Sequence, residues 1–337
     1  MNRTGNLLEQ IYDTGNLYLA YYKASRGKHN KQAVIDYKRN LDVNIRTLRQ
    51  QLQTGEAPAG NYHYFTIYDP KQRTICAAAF QERVLHHALM NICHPYFDRH
   101  LIAGSYATRI GKGIYAAIDK ALPAMRRYQY VCKLDVRKYF DSISHVVLKQ
   151  QLRRLFKDAD LLKLFDEIIS SYATQAGYGI PIGNLTSQYF ANHYLSAFDH
   201  YAKEQLQIPV YIRYMDDILF FGNDKETIKI WVAELTKKAF SMLELNFKPY
   251  SIRKCKQGVS FLGYQLFPNK ILLNSRSKKR FRKKMAQYTQ WLDSGHWSES
   301  DCRNHVVPLL AFANHAYTKR FCRRNDLNHD EGVSKVI

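Results

Sequence analysis

Three aspartates in apolar surroundings carry the first chemical signal of this 337-residue chain. Asp216 and Asp217 stand together between two runs of strand character, VYIRYM and ILFFG, and Asp135 lies inside a third, YVCKLDV. A carboxylate taken out of water is costly unless a cation compensates it. A divalent-metal site answers all three positions at once. Few carboxylates, with water and substrate phosphates in the remaining positions, form the hard-oxygen environment that Mg²⁺ favours. Two such ions about 3.5–4 Å apart can activate a primer 3′-hydroxyl and stabilise a leaving pyrophosphate in an in-line displacement. The reaction class is nucleotidyl transfer, with Mg²⁺ (two ions) as cofactor. A bare Asp-Asp pair is also good turn chemistry. What favours the metal is the flanks: Tyr214 and Met215 before the pair, ILFF after it, and the strand-borne Asp135 upstream.

Composition points to the partner. The formal net charge is +21 and the pI about 9.6, an excess suited to neutralising phosphates rather than to handling small metabolites. A chain with 46% hydrophobic and 13% aromatic residues can bury one large core, or a few subdomains sharing a continuous fold. Cys76, Cys93, Cys132, Cys255, Cys302 and Cys322 show no CxxC pair and no close histidine, so they read as buried thiols of a reducing compartment. The N-terminus has no uninterrupted apolar segment, and no run of 18 apolar residues occurs, which sets a cytoplasmic expectation.

Elements must position these acids. Residues 6–54 carry apolar positions at helical spacing and predict two basic helices joined through Arg26-Gly27-Lys28. The stretch YHYFTIYDPKQRTICAAAF alternates around Asp69-Pro70 and predicts a β-hairpin, with Lys71 and Arg73 just past the turn. QERVLHHALMNICHPYFD predicts a helix with Pro95 near its end, and the Gly111-Lys112-Gly113 triplet, lacking the rest of a phosphate-binding loop, predicts a turn near the template. YVCKLDVRKYF predicts a strand, followed by a helix that Ser142 or Ser144 caps. A glycine-rich link leads to a long helical pattern that Thr186 or Ser187 can start, and VYIRYMDDILFFG predicts a hairpin with acids at its tip. Between Ile271 and Gln290, Arg276, Lys278, Lys279, Arg280, Arg282, Lys283 and Lys284 occur with no acidic residue, as expected of a phosphate-tracking helix face.

KLDVRKYFDSI, GIPIGNLTSQYFANHYL, YMDD and FLGY occur in the order of the palm motifs of reverse transcriptases, and the resemblance spans residues 62–267. Within that superfamily the chain resembles the enzymes of diversity-generating retroelements, relatives of group II intron and retron enzymes, through NLYLAYYKASRGK, HHAL, SYATRIGKG and above all IGNLTSQ. The resemblance implies an α+β right-hand polymerase fold. It would comprise an N-terminal helical extension (1–60), fingers with the start of the palm (61–130), a palm (131–268, with inserted finger elements around 150–180) and a basic helical thumb (269–337). It also implies an RNA-directed DNA polymerase acting on a structured template RNA, a cDNA or primer strand and dNTPs, alongside a basic, ring-forming accessory protein.

Residue roles follow from the same motifs. Asp135, Asp216 and Asp217 are the catalytic metal ligands, with the Val136 carbonyl completing the shell. Lys71 and Arg73 resemble the cations that hold the incoming triphosphate, a task suited to arginine's forked donors. Phe140 occupies the position of the aromatic that blocks a ribonucleotide 2′-hydroxyl. Phe261, Leu262, Gly263 and Tyr264 resemble the primer grip. Lys248 or Lys254 is the candidate general acid toward pyrophosphate, a choice the sequence leaves open.

Where most reverse transcriptases have Pro-Gln-Gly, this chain has Pro181-Ile182-Gly183. A glutamine offers donors and an acceptor beside the nascent pair, whereas isoleucine offers neither. Together with Arg73, Ile182 is therefore expected to set fidelity by loosening base discrimination, and the resemblance to diversity-generating enzymes implies misincorporation opposite template adenines. Two other functions compete with this reading. A retron or group II intron-type enzyme should keep a polar loop at Ile182, or, as a maturase, continue into a further domain beyond residue 337. A catalytically idle RNA-binding protein of the same fold has no need of all three carboxylates.

Overall fold

The computed structural model describes residues 5–68 and 72–318. In chain order, four helices come first: α1 (Leu8–Ile11), α2 (Thr14–Ser25), α3 (Gln32–Arg39) and α4 (Leu41–Thr54). The hairpin β1 (Tyr62–Tyr68) and β2 (Gln72–Ala78) leads to α5 (Phe80–Arg99), and α6 (Ile114–Arg127) leads to β3 (Tyr130–Asp135). A 3-10 turn (Tyr139–Ser142), α7 (His145–Leu155), α8 (Ala159–Ser170), α9 (Leu185–Tyr194), α10 (Ser196–His200) and a π-helical turn (Tyr201–Gln205) follow. Next come β4 (Val210–Tyr214), β5 (Asp217–Gly222), α11 (Lys225–Leu243) and β6 (Ser251–Lys254). The described chain closes with β7 (Val259–Phe261), β8 (Tyr264–Phe267), β9 (Lys270–Leu273), α12 (Ser275–Asp293) and α13 (Glu299–Asn314). The pairs β1–β2, β3–β6, β4–β5, β7–β8 and β8–β9 are all antiparallel, so the class is α+β.

These elements form two compact units, each drawn from three stretches of sequence. The first comprises Met1–Ile110, Asp135–Gln207 and Trp231–Lys248; the second comprises Gly111–Leu134, Ile208–Ile230 and Pro249–Ile337.

In the first unit, the two predicted N-terminal helices are four. Asp13 interrupts the first run by accepting the Asn16 N–H as an N-cap, and Asn40 leaves helical geometry between α3 and α4. The Asp158 carboxylate joins distant segments: one oxygen accepts from the Leu7 and Leu8 N–H groups at the start of α1, the other caps α8 at Leu161. Asn16 donates to the carbonyls of Ile11 and Ala88 and so docks α2 on α5. Helix α5 has Pro95 near its end, as expected, and runs four residues past it. Its buried Glu82 accepts from Gly60 and Asn61 N–H at 3.2 and 2.8 Å, which fixes the entry of β1. Burial pushes the Glu82 pKa up, and those donors pull it partly back. The predicted turn at Asp69-Pro70 lies outside the described residues. The core is aromatic, with Phe156 against Phe97 (5.5 Å) and Phe165 (5.6 Å), and Phe165 against Phe190 (5.3 Å), all at steep interplanar angles.

Two expected helix starts move. Helix α9 begins at Leu185 behind Asn184, not at Thr186 or Ser187, and the Asn184 side chain accepts the Ala78 N–H instead of capping the helix. The expected long helix also breaks at Leu195 into α10 and the π turn. Ser144 precedes α7 without a side-chain cap.

In the second unit the central sheet runs β4-β5-β3-β6. Strand β5 is buried from Ile218 to Phe221, and Val131, Cys132 and Leu134 of β3 are buried beside it. Helix α6 buries Ala117, Ile118, Ala121, Ala124 and Met125, a stripe of helical period. Gly113 is its N-cap, so the Gly111-Lys112-Gly113 triplet forms the entry to the helix. Helices α12 and α13 close on Tyr288, Cys302 and Val306, with Trp297 packed against them. Cys76, Cys93, Cys132, Cys255 and Cys302 are free and buried; Cys322 lies outside the described residues. Among the described residues no helix is long and apolar enough to cross a membrane.

Candidate active site

Asp216 and Asp217 sit at the tip of the β4–β5 hairpin in the second unit. Tyr214 pairs with Asp217, so Met215 and Asp216 form a two-residue turn. Met215 takes φ +54 there. A positive φ at the first turn residue suits the twist of a tight hairpin, at a cost of roughly 1–2 kcal/mol for a residue with a side chain. Arg213, fully buried on β4, donates from Nη1 to the Met215 carbonyl at 3.2 Å and helps hold that turn. No motif flags Arg213 in the sequence; the available signal is an arginine inside an otherwise apolar strand. Burial pushes the neighbouring Tyr214 pKa up.

Asp217 opens β5, where the pleat fixes its direction. The Nζ of Lys133, on β3, stands 2.8 Å from its Oδ1. That contact has ion-pair distance without hydrogen-bonding geometry, and Oδ1 is buried with no hydrogen bond. The same Nζ donates to the Ser260 carbonyl of β7 at 3.2 Å.

Phe261, Leu262, Gly263 and Tyr264 form the β7–β8 turn. Phe261 pairs with Tyr264, and Leu262 and Gly263 both take positive φ, +47 and +91. A Cβ on Gly263 would lie 2.8 Å from the Phe312 ring and 3.0 Å from Ser277 Oγ, so a residue larger than glycine would displace those side chains. The buried Tyr264 donates its hydroxyl to the Phe312 carbonyl at 2.7 Å.

In the first unit, Asp135 closes β3 and its carboxylate is ion-paired with Lys248. The Lys248 N–H donates to the Asp135 carbonyl at 2.9 Å, and the Arg137 N–H to that of Asn246 at 2.8 Å. Val136 therefore faces Phe247 in a non-hydrogen-bonded antiparallel pair, and its own carbonyl is turned out of that ladder. Of the two candidate lysines, Lys248 stands at Asp135, whereas Lys254 opposes Tyr130 on β6 with its side chain exposed.

The expected nucleotide-side residues share one hydrogen-bonded framework in the first unit. Arg73 lies exposed on β2 opposite Ile67; Lys71 is outside the described residues. The Cys76 N–H donates to the Ile182 carbonyl at 2.9 Å, and the Ala78 N–H to Asn184 Oδ1 at 3.3 Å, strapping residues 182–184 along β2. Gly183 takes φ +123, and a Cβ there would meet Ile75 at 3.0 Å and the Cys76 carbonyl at 3.1 Å. Phe140, half-buried, accepts the Ile180 N–H at 3.0 Å through its carbonyl. Asn184, the residue that makes the strap, went unnoticed in the sequence because its partner lies 106 positions away.

Among the described residues, no three His, Cys, Asp or Glu side chains are grouped closely enough to hold a metal; Asp135 and Asp217 are each paired with a lysine instead. Each unit nevertheless offers hard oxygen donors of the kind a divalent cation favours: in the second, the Asp216 and Asp217 carboxylates, with one Asp217 oxygen buried and making no hydrogen bond; in the first, the Asp135 carboxylate and the Val136 carbonyl outside its ladder.

Residues 68–266 match the family model described as reverse transcriptase (RNA-dependent DNA polymerase), and the chain belongs to that family. It is similar to Protein YkfC of Escherichia coli (strain K12), 25% identical over 179 residues covering 49% of this chain and 47% of the relative. It is also similar to the putative COX1/OXI3 intron 1 protein of Saccharomyces cerevisiae, 20% identical over 219 residues covering 61% of this chain and 26% of the relative. The chain thus spans less than half the length of these curated relatives. Among solved structures it is similar to apo telomerase from Candida tropicalis, with TM-score 0.53, 12% identity and coverage of 82% of this chain and 62% of that one. Telomerase from the same organism in complex with a TWJ fragment of telomeric RNA gives TM-score 0.50, 12% identity, and 80% and 55% coverage. That likeness is one of fold, the α+β polymerase fold.

Proposed function

We propose that this chain is an RNA-templated DNA polymerase that extends a primer with dNTPs, using Asp135, Asp216 and Asp217. The observation that carries the reading is the Lys133–Asp217 contact. Within the second unit, Lys133 of β3 is at ion-pair distance from Asp217, whose Oδ1 is buried with no hydrogen bond, so the tip of the β4–β5 hairpin holds a carboxylate that needs a cation. Divalent ions held by the three carboxylates and the Val136 carbonyl would supply activation of the primer hydroxyl and neutralisation of the leaving pyrophosphate. The remaining work falls to the chain's own side chains. Arg73 binds and orients the triphosphate through its planar fork. Phe140 excludes a 2′-hydroxyl by its ring. Lys248 is the general acid, since it rather than Lys254 stands at Asp135. The Phe261–Tyr264 turn holds the primer strand. A primer-extension assay with an RNA template, Mg²⁺ and dNTPs tests the reading. Asp216→Ala Asp217→Ala should retain RNA binding and lose extension, and undiminished extension would falsify the site.

Within the family we favour error-prone synthesis in a diversity-generating retroelement, with a structured template RNA and a basic ring-forming accessory protein as partners. Ile182 supports this, because it offers no hydrogen bond beside the nascent pair and is held on β2 by the Cys76 N–H. Ile182→Gln should lower misincorporation opposite template adenines; an unchanged error frequency there rejects the subclass. An intron- or retron-type reverse transcriptase is the second reading, favoured by the similarity to the yeast intron 1 protein. High fidelity at adenines in the wild-type enzyme would select it.

A further inference from the structure

Lys133 has no part in the roles above, yet both of its polar contacts reach functional elements. Its Nζ stands 2.8 Å from Asp217 Oδ1 and donates to the Ser260 carbonyl at 3.2 Å. Ser260 lies at the centre of β7, opposite Gln265 of β8, and its Oγ accepts from Asn274 Nδ2 at 3.1 Å. Asn274 is the N-cap of α12, accepting the Ser277 N–H at 2.8 Å, and its own N–H donates to the Gly263 carbonyl at 3.1 Å. A continuous polar chain of Asp217, Lys133, Ser260 and Asn274 therefore runs from the YMDD turn to the β7–β8 turn and the basic helix α12, all within the second unit.

We propose that Lys133 is a positioning residue that couples the Asp217 carboxylate to the β7–β8 hairpin and the start of α12, linking the hold on the primer to the setting of a catalytic acid. The proposal rests on the polymerase reading. An exposed lysine would spend its charge in water, but Lys133 is only 26% exposed, donates to the Ser260 carbonyl and stands at ion-pair distance from the Asp217 carboxylate. Beside Asp217 its charge competes with any divalent cation for the same oxygen. The Ser260 carbonyl is the ammonium's second anchor, so a cation that takes Asp217 leaves Lys133 held by the hairpin alone and shifts its grip there. Cation binding at Asp217 and the grip of Lys133 on the hairpin are then reciprocally linked.

Lys133→Met keeps the length of the stem and removes the charge. Two measurements avoid turnover: Mn²⁺ binding to the full chain without nucleic acid, followed by electron paramagnetic resonance, and release of a labelled primer–template without nucleotides. Loss of the competing ammonium should tighten Mn²⁺ binding several-fold, and loss of the hairpin anchor should speed primer–template release up to roughly tenfold. Lys133→Arg should restore slow release. Asn274→Ala, which cuts the chain at its far end, should speed release and leave Mn²⁺ affinity unchanged. Unchanged Mn²⁺ affinity and unchanged release in Lys133→Met, beside a wild type that extends primers, overturn the coupling alone. A wild type that extends no primer overturns the polymerase reading and this inference with it.

Discussion

Gly183→Ala perturbs the loop that carries Ile182 without touching Ile182 itself. Gly183 sits at φ +123, a region that residues with a Cβ avoid at roughly 1–3 kcal/mol. The added methyl would also meet Ile75 at 3.0 Å and the Cys76 carbonyl at 3.1 Å, and the carbonyl is strand backbone that cannot turn aside. The loop must then lift from β2, weakening the 2.9 Å bond from the Cys76 N–H to the Ile182 carbonyl. Because Cys76 is fully buried, its amide would lose its partner without gaining water, a further loss of roughly 1–3 kcal/mol. Together these give a destabilisation of about 2–6 kcal/mol. Equilibrium urea unfolding reads the loss, and the KM for dNTP should rise with it because the loop no longer lies along the strand that bears Arg73. A Gly183→Ala protein within about 0.5 kcal/mol of wild type, with KM unchanged, would show that the strap on β2 does not hold the loop.

His86 gives a pH signature. Burial first, then the charges of His87 and Arg83, pushes its folded pKa down to about 3 from an ordinary 6.5. Between those values the unfolded chain binds the extra proton, so stability is full above pH 6.5 and falls on acidification, by about 2 kcal/mol at pH 5. His86→Gln should flatten that part of the curve, and parallel wild-type and variant curves between pH 5 and 6.5 would contradict the assignment. Arg213→Met removes a buried charged donor from the Met215 carbonyl, so a loss of about 2 kcal/mol or more and a fall in kcat at constant RNA affinity are expected; wild-type kcat would show that the turn holds itself. Tyr264→Phe keeps the ring but loses the hydroxyl bond to Phe312 and should cost about 1 kcal/mol in thermal unfolding. A melting point equal to wild type would mean that bond contributes nothing.

Most of the local architecture was legible from spacing. The Asp216-Asp217 hairpin, the β1–β2 hairpin and the basic helix 275–293 all rest on alternation or helical period within a few residues, where chain connectivity enforces the geometry. The N-terminal helices and the start of α9 were misjudged where a single polar side chain decided the boundary. Asp13 caps one helix, and Asn184 turns from capping its own helix to bind Ala78. Periodicity carries no information about that choice.

By itself the sequence determined which residue types could do nucleotidyl transfer, their order along the chain, and the apolar Ile182 where a glutamine is usual. Only the tertiary structure decided their partners. The Val136–Phe247 pairing sets Lys248 against Asp135 while β6 sets Lys254 against Tyr130, a choice of register that two similar lysines in sequence cannot reveal. The same holds for Lys133, joined to Asp217 and to Ser260, 127 positions away. A carboxylate's need for a counter-charge is local chemistry, but which cation meets it depends on how strands far apart in sequence are laid side by side.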